Sequence, residues 1–186
     1  MHSDLDLLGH LCPRCGSPII PSGTCSKEGC WYVLTDQNSI DISFKCQGIA
    51  KALSNLCNYK FTFEHVECWS MESFIQSLRT PDVNLQEEVC SLSGPFCYSI
   101  RTILPDWRAT QKVYWRGNVI DRHSDEYTSL LSNAYYALYT QSAVFKHALD
   151  QSKGYKLLHT IGCADRSLTL LSPEEYISHL NRLRGE

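Results

Sequence analysis

The strongest constraint on the fold comes from one stretch, Ala52 to Arg79, which reads ALSNLCNYKFTFEHVECWSMESFIQSLR. It begins with a Leu-Ser-Asn turn and continues through a short β-like run over residues 60–63. Apolar residues then recur at roughly helical spacing, which predicts an amphipathic helix after the strand. These apolar residues are Trp69, Phe74, Ile75 and Leu78.

Polar residues converge at the start of this predicted helix. Ser70 is suited to cap the helix, and Glu72 falls in its first turn, where the positive end of the helix dipole favours a carboxylate. Gln76 follows four residues later and therefore shares a face with Glu72. With Ser54 and Asn55 in the preceding loop, these side chains predict the floor of a polar ligand pocket. The alternative is a helix-terminal charge beside a solvated glutamine.

The same residues resemble the signature of the NADAR (YbiA-like) domain family. The resemblance lies in Leu53-Ser54-Asn55, then Phe61 and His65-Val66-Glu67, then Ser70-x-Glu72-x-x-x-Gln76-x-x-Arg79. It extends over most of the chain and is dense only in this block. It implies a compact, mainly helical domain associated with NAD and ADP-ribose derivatives. The family's known activities are N-glycosidic, including release of ADP-ribose from guanine and cleavage of a ribosyl-amine intermediate of riboflavin synthesis.

The resemblance also implies roles for individual residues. Breaking a ribosyl C–N bond passes through an oxocarbenium-like transition state, which requires a proton donor or base and a nearby negative charge. Glu72 is the expected catalytic carboxylate and Asp165 the second. For the phosphates, the expected ligand-binding residues are Arg79 and Arg101, and Arg108 or Lys112 could substitute for Arg101. For the ribose hydroxyls they are Ser54 and Asn55. Gln76 is expected beside Glu72, and Trp69 or Trp115 against the base.

The end of the chain departs from the family pattern. Leu157-Leu158-His159-Thr160-Ile161-Gly162 resembles the family's closing L-L-x-T-G. The later tryptophan–glycine pair of many members is missing, and Asp165 is the nearby acid that takes the place of their late aspartate. Because of this departure, a module that binds the ligand without turnover is an alternative to an enzyme.

Four cysteines near the beginning of the chain predict a zinc ribbon. Cys12 and Cys15 form a C-x-x-C pair, and Cys25 and Cys30 form a wider second pair. Four thiolates suit a tetrahedral structural zinc ion, and few apolar residues lie here to fold the segment unaided. Two disulfides are the alternative. The ribbon is interpreted either as a folding or docking module or as a nucleic-acid contact.

Further helices are predicted downstream. An apolar stripe predicts the longest helix over 120–139, and another helix follows around Phe145. Ser172-Pro173 predicts the start of the last helix, which extends through Leu183. Two short strands are predicted between residues 31 and 46. We therefore expect an α+β, mainly helical NADAR-like domain with a few short strands over residues 36–186, preceded by a zinc ribbon over 1–35.

Composition narrows the functional classes. The 186 residues carry a formal net charge of −3, which argues against a surface that binds nucleic acid over its whole extent. The sequence has no apolar run of membrane-spanning length and no signal-peptide pattern at Met1–His10, so a cytoplasmic protein without a membrane partner is expected.

Three functions are consistent with the sequence. The first is an intracellular N-glycosidase for an ADP-ribosyl or ribosyl-amine conjugate, including ADP-ribosylated nucleic acid. The second is a non-catalytic module that binds NAD or ADP-ribose. The third is a zinc-ribbon adaptor that binds another protein. The expected cofactor is structural zinc, with no catalytic metal.

Overall fold

A computed structural model of the chain describes residues 12, 16–18, 27 and 38–186. Short strands and helices alternate along this part of the chain. In order they are β1 (Ser39–Asp41), α1 (Gly48–Ala52), β2 (Phe61–Phe63), β3 (Val66–Cys68), α2 (Met71–Ser77), α3 (Val83–Cys90), α4 (Gly94–Ile100), β4 (Lys112–Trp115), β5 (Asn118–Asp121), α5 (Asp125–Gln141), α6 (Ala143–Gln151), β6 (Lys156–Leu158) and α7 (Pro173–Arg184). The predicted mixed α+β, largely helical architecture is confirmed.

The strands form three separate pairs. β1 and β6 are parallel, with Ser39 opposite Lys156, so the pair joins two distant parts of the described chain. β2 and β3 form one antiparallel hairpin, and β4 and β5 form another. The turn of the second hairpin has Arg116 and Gly117 at φ 49° and 83°, the left-handed geometry of tight hairpin turns.

This second hairpin corrects the predicted start of the longest helix. Ile120 lies in β5 and pairs with Val113 of β4, whereas the helix α5 begins at Asp125. Ser124 caps it by accepting a hydrogen bond from the backbone N–H of Tyr127 at 3.1 Å. The prediction placed the helix start too early because the apolar Ile120 fits a helical stripe and a half-buried strand equally well.

Local capping residues define the two helices closest to the functional site. The Ser70 Oγ accepts a hydrogen bond from the Ser73 backbone N–H at 3.0 Å at the start of α2. Ser172 caps α7 in the same way, and Pro173 occupies the first helical position, as predicted. α7 ends at Gly185, whose φ of 77° closes a left-handed C-terminal cap.

The main core cluster of the described residues consists of buried apolar side chains from positions between Ile42 and Leu180, and Val89, Cys97 and Leu104 form a smaller second cluster. An aromatic group lies at the centre of the main cluster, where the Trp115 ring packs 5.9 Å from Phe63 and 5.0 Å from Phe74, measured between ring centroids. Because hairpins β2–β3 and β4–β5 and helix α2 all contribute to this group, their packing fixes where α2 presents its polar face.

A fully buried arginine fixes the segment before α7. Arg122 donates to both carboxylate oxygens of Glu175, at 2.9 and 2.6 Å, and its Nε donates to the Thr169 carbonyl at 2.9 Å. Burial raises the pKa of Glu175, but hydrogen bonds from Arg122 and Ser172 outweigh this and lower the pKa to about 2. The resulting ion pair positions residues 169–175 against the body of the domain.

Most of the predicted ribbon lies outside the described residues, including Cys15, Cys25, Cys30, the segment 31–37 and the domain boundary near residue 35. Cys12 is described and buried, and its backbone carbonyl accepts a hydrogen bond from Gly16 N–H at 2.8 Å. No metal-binding group is found among the described residues. Within the same residues, no helix has the length and apolar character needed to cross a membrane.

Candidate active site

A cavity of about 660 Å³ lies where α2 meets two loop segments. Its wall combines the polar face of α2, the region from α4 to residue 108, and residues 159–171 with the start of α7. The lining residues are Asn55, Glu72, Ile75, Gln76, Arg79, Tyr98, Arg101, Thr102, Leu104, Asp106, Trp107, Arg108, His159, Gly162, Cys163, Leu168, Thr169, Leu170, Leu171 and Tyr176. Five predicted site residues therefore share one cavity: Asn55, Glu72, Gln76, Arg79 and Arg101.

Glu72 is the acid on the α2 side of this cavity. Its backbone N–H donates to the Asn55 carbonyl at 3.0 Å, and its carboxylate accepts a hydrogen bond from Gln76 Nε2 at 3.0 Å. Burial raises the pKa of Glu72 to about 7, although the Gln76 hydrogen bond and the positive charge of Arg101 both favour the ionised form. A carboxyl group with this pKa exchanges protons readily at neutral pH.

Asn55 is oriented by the long helix α5. The Tyr135 hydroxyl donates to Asn55 Oδ1 at 2.9 Å, and Tyr135 is fully buried. With its oxygen engaged, Asn55 presents its amide nitrogen, for which no hydrogen-bond acceptor occurs among the described residues. This geometry provides a hydrogen-bond donor beside Glu72.

The Arg79 guanidinium is used to hold the loop after α4. Its Nε donates to the Pro105 carbonyl at 2.9 Å, Nη2 donates to the Leu104 carbonyl at 3.2 Å, and Nη1 donates to the Arg101 carbonyl. Arg79 was predicted to bind phosphate. The structure places it in the cavity wall, where its N–H groups donate to these backbone oxygens and, at 3.3 Å, to Gln76 Oε1, so the guanidinium holds the loop and α2 together.

Two other arginines line the cavity near this loop. The Arg101 guanidinium stacks 3.8 Å from the ring centre of Tyr98 and donates to the Tyr98 carbonyl at 2.6 Å. Arg108 is paired with Asp106, with Nε to Oδ1 at 2.7 Å and Nη2 to Oδ2 at 3.0 Å. Because the charge of Arg108 is already balanced by a carboxylate, Arg101 is the better placed cation for an anionic ligand.

Histidine and tyrosine side chains complete the opposite wall. His159 follows β6 directly, and its Nδ1 lies 2.7 Å from the Ile42 carbonyl oxygen. The Tyr176 ring meets the His159 ring edge-on, with 5.1 Å between ring centroids. Tyr176 donates its hydroxyl to the Leu53 carbonyl, which ties α7 to the loop that carries Asn55.

Two predicted ligand residues are not among the described residues that line the cavity. Ser54 is buried, and its Oγ accepts a hydrogen bond from the Leu56 N–H at 3.4 Å. Trp115 is 2% exposed and belongs to the core, where its Nε1 donates to Glu64 at 2.8 Å. Ser54 shapes the loop, and Trp115 supports α2 from behind.

Trp69 and Asp165 are likewise not part of the cavity wall within the described residues. Trp69 donates to Glu67 at 3.0 Å, and the ammonium of Lys60 lies 4.1 Å from its ring centre. Asp165 accepts hydrogen bonds from the Ser167 hydroxyl and backbone N–H at 2.7 and 2.9 Å, and these bonds lower its pKa. Asp165 therefore closes a local turn and is ionised at neutral pH.

The sequence interpretation missed His159, Tyr98, Trp107 and Tyr176 as cavity residues. For His159 a signal existed, because a polar residue immediately after a buried parallel strand lies at the edge where ligand sites form. For Tyr176, the apolar stripe of the last helix predicted core packing, and the ring serves both roles. Tyr98 and Trp107 reach the cavity through the path of the α4–β4 loop, which no local pattern specifies.

Comparison with known proteins identifies a family and a similar fold. The sequence model of a family described as bacteriophage protein GP30.3 matches residues 47–185. An Enterobacteria phage T4 protein described as "uncharacterized 17.1 kDa protein in Gp30-rIII intergenic region" is 29% identical over 134 residues, covering 72% of this chain and 88% of that protein. The NMR structure of the E. coli protein YbiA is similar with a TM-score of 0.55 and 14% identity, covering 81% of this chain and 86% of that chain.

Proposed function

Because the chain belongs to the bacteriophage protein GP30.3 family, a NADAR-type family whose match spans residues 47–185, we propose that it is an N-glycosidase. Its substrate is an ADP-ribosyl or ribosyl-amine conjugate, including ADP-ribose attached to guanine in nucleic acid. The reaction replaces the ribosyl C–N bond with a C–O bond from water. The similarity to the YbiA fold supports the architecture, and the cavity residues support the chemistry.

One observation carries this proposal: Glu72 lies in the cavity wall with a pKa raised to about 7 by burial. The leaving nitrogen of a ribosyl C–N bond departs more easily when it is protonated as the bond breaks. Protonated Glu72 supplies that proton. Once ionised, the same carboxylate stabilises positive charge at the ribosyl carbon, as in glycoside hydrolysis.

Neighbouring groups fit the rest of such a substrate. Arg101 supplies a positive charge for a pyrophosphate, and its stack on Tyr98 offers a flat surface for a base or ribose. Asn55 supplies an amide donor for a ribose hydroxyl, held in place by Tyr135. Gln76 holds the Glu72 carboxyl in position through the 3.0 Å hydrogen bond.

The test is release of free ADP-ribose, followed by mass spectrometry. The purified protein is incubated with ADP-ribosylated guanine DNA, ADP-ribosylated protein and NAD, beside the variants Glu72→Gln and Asp165→Asn. Loss of the proton donor should lower kcat by about 100-fold or more in Glu72→Gln. Glutamine has nearly the same shape, so ADP-ribose affinity should change only several-fold. Full activity in Glu72→Gln would refute the mechanism.

The Asp165→Asn variant separates two versions of the mechanism. The prediction that Asp165 is the second carboxylate requires a large loss of kcat in this variant. The local hydrogen bonds of Asp165 to Ser167 favour a small loss instead, because they assign the side chain to a turn. A thermal shift with ADP-ribose in the absence of turnover would favour the binding module over the enzyme.

We further propose that Cys12, Cys15, Cys25 and Cys30 bind one structural zinc ion. The hydrogen bonds from Gly16 N–H to the Cys12 carbonyl and from Cys12 N–H to the Ser17 carbonyl, at 2.8 and 2.7 Å, bring residues 16 and 17 close to the first cysteine, as in the tight turns of zinc ribbons. Such turns direct two thiolates of a C-x-x-C pair toward one metal ion. In this role the zinc stabilises the ribbon and takes no part in the glycosidic step.

A further inference from the structure

We propose that His159 is the general base of the reaction, and that its Nε2 removes a proton from the water that attacks the ribosyl carbon. The inference rests on the proposed N-glycosidase function and assigns its second proton-transfer group. It replaces the expectation that a second carboxylate, Asp165, does this work.

The tautomer of His159 follows from its hydrogen bond. Nδ1 lies 2.7 Å from the Ile42 carbonyl oxygen, and a carbonyl oxygen can only accept. Nδ1 therefore carries the hydrogen, and in the neutral ring Nε2 has a lone pair. Because Ile42 directly follows β1 and His159 directly follows β6, the parallel strand pair holds both partners of this bond in register.

Nε2 is directed to the cavity. His159 lines the cavity wall and is half-buried, and among the described residues no side chain or backbone group makes a hydrogen bond to Nε2. Gly162 lies beside it with φ 117°, and a Cβ built there would lie 3.9 Å from Nε2. Glycine at this position keeps the approach to Nε2 open, while the edge-on Tyr176 ring fixes the imidazole plane.

Burial favours the neutral ring of His159 over the charged one. Burial lowers the pKa of His159, while the hydrogen bond to Ile42 and the charge of Asp41 oppose this more weakly. The Asp41 carboxylate is itself engaged by the Thr160 N–H and hydroxyl, at 2.9 and 2.6 Å. Tyr176, Cys163 and Glu72 are further titratable groups of the cavity wall, and burial favours the protonated forms of Glu72 and Tyr176.

The surroundings of Glu72 and His159 reverse the usual order of their pKa values. In water a glutamate loses its proton before a histidinium does. Here the pKa of Glu72 is raised to about 7 and that of His159 is lowered below its ordinary value. Near neutral pH a neutral His159 therefore coexists with a Glu72 that is still partly protonated, and an acid and a base in these states are the combination that hydrolysis requires.

In the proposed step, each bond and each proton is accounted for by water, substrate, His159 and Glu72. The water oxygen forms a bond to the ribosyl carbon as the C–N bond breaks, and the electron pair of that bond goes to the leaving nitrogen. His159 Nε2 takes one proton from the water, and Glu72 gives one proton to the leaving nitrogen. The products are the ribose hemiacetal and the free base or amine, and proton exchange with solvent restores both side chains.

The experiment measures kcat and its pH dependence in wild type, His159→Asn, His159→Gln and Glu72→Gln. The asparagine amide nitrogen replaces Nδ1 and keeps the hydrogen bond to Ile42, but it provides no basic nitrogen toward the cavity. The glutamine amide reaches the Nε2 position and cannot accept a proton at these pH values. His147→Asn, on the exposed side of α6, is the matched control.

A general base predicts a specific pattern. Wild type should lose activity at low pH as His159 protonates and at high pH as Glu72 ionises. Both His159 variants should lose about 100-fold in kcat together with the low-pH limb, with ADP-ribose affinity nearly unchanged. Glu72→Gln should lose the high-pH limb, and His147→Asn should match wild type.

Failure of the role of His159 can be told apart from failure of the proposed N-glycosidase function. If wild type turns over and the His159 variants keep kcat and the low-pH limb, His159 is not the base and the proposed function stands. A His159 variant that loses kcat but keeps the low-pH limb, with a lowered melting temperature, shows a structural role and also overturns the inference. Absence of turnover in wild type overturns the proposed function, and this inference with it.

Discussion

At the scale of single residues, the acid of the site is stabilised in its neutral form by its surroundings. Glu72 receives a hydrogen bond from Gln76, yet burial dominates and raises its pKa to about 7. The folded protein therefore binds a proton at this position more tightly than the unfolded chain does. A stability cost at a functional group is expected when its environment is adjusted for catalysis.

This shift predicts how the stability of the protein depends on pH. A raised carboxyl pKa contributes stability that is complete below the unfolded value of 4.5 and is lost as the pH rises through about 7. Glu72→Gln removes this dependence. Its free energy of unfolding should exceed that of wild type by about 3 kcal/mol at most at pH 9 and match it near pH 4.

Urea unfolding at both pH values, monitored by circular dichroism, measures this difference. Asp165→Asn serves as the comparison, because hydrogen bonds to Ser167 lower the pKa of Asp165, so its stabilising effect has the opposite pH dependence. A Glu72→Gln protein that is less stable than wild type at pH 9 would show that the ionised carboxylate is favoured in the folded state, contrary to the assigned pKa.

At the scale of elements, the sequence predicted what local chemistry determines. The caps of α2 and α7 follow from Ser70 and from Ser172-Pro173, which act on backbone groups within three residues. Glu72 and Gln76 share a helix face for the same local reason. The β4–β5 hairpin, with its turn at Arg116-Gly117, was missed because the apolar residue of its second strand was assigned to the following helix.

The convergence of α2 with residues 159–171 was beyond local prediction. It depends on the parallel pairing of β1 with β6 and on the ion pair of the buried Arg122 with Glu175. Neither contact leaves a periodic pattern in the sequence, since each joins positions far apart in the chain. His159 therefore entered the site only when the strand pair was known.

The hydrogen bonds from the Arg79 guanidinium to three backbone carbonyls indicate that this one arginine holds the α4–β4 loop in place. A lysine at position 79 carries its three N–H donors on one nitrogen and cannot reach all three carbonyls of residues 101, 104 and 105, which Arg79 contacts from three separate nitrogens. Arg79→Lys should lower the free energy of unfolding by about 2 kcal/mol, because the buried Leu104 carbonyl and the part-buried carbonyls of residues 101 and 105 lose hydrogen bonds. The Michaelis constant for the substrate should rise, since Arg101 and Tyr98 belong to the same wall.

The matched control for this change is Arg108→Lys. Arg108 also lines the cavity, but its partner Asp106 is an exposed carboxylate, and an exposed ion pair contributes little to stability. Urea unfolding and steady-state kinetics of both variants separate the two roles. Equal effects of the two substitutions would show that the carbonyl contacts of Arg79 do not hold the loop.

At the scale of the whole molecule, the core and the ribbon are expected to be separate stabilising units. The main core cluster draws on residues between Ile42 and Leu180, and the family match covers 47–185. The described part of the ribbon approaches this domain at Gly16, where a Cβ would lie 3.5 Å from Nε2 of Gln47. Because the family match begins at residue 47, we expect the domain to fold without the ribbon.

Zinc removal tests this division. The protein should contain one zinc ion per chain by elemental analysis, and a strong chelator should remove it, after which the four thiolates take up protons. Far-UV circular dichroism should keep most of its helical signal, because the helices lie in residues 48–184, outside the four-cysteine segment. Release of ADP-ribose from a small conjugate should also persist, whereas release from ADP-ribosylated nucleic acid should fall if the ribbon contacts that substrate.

A protein in which Cys12, Cys15, Cys25 and Cys30 are replaced by serine should reproduce the chelated state, and replacement of Cys57 and Cys163, which lie outside the cluster, should leave the zinc content unchanged. Loss of the helical signal on chelation would instead make the metal part of the main folding unit, and a protein with no bound zinc would refute the ribbon.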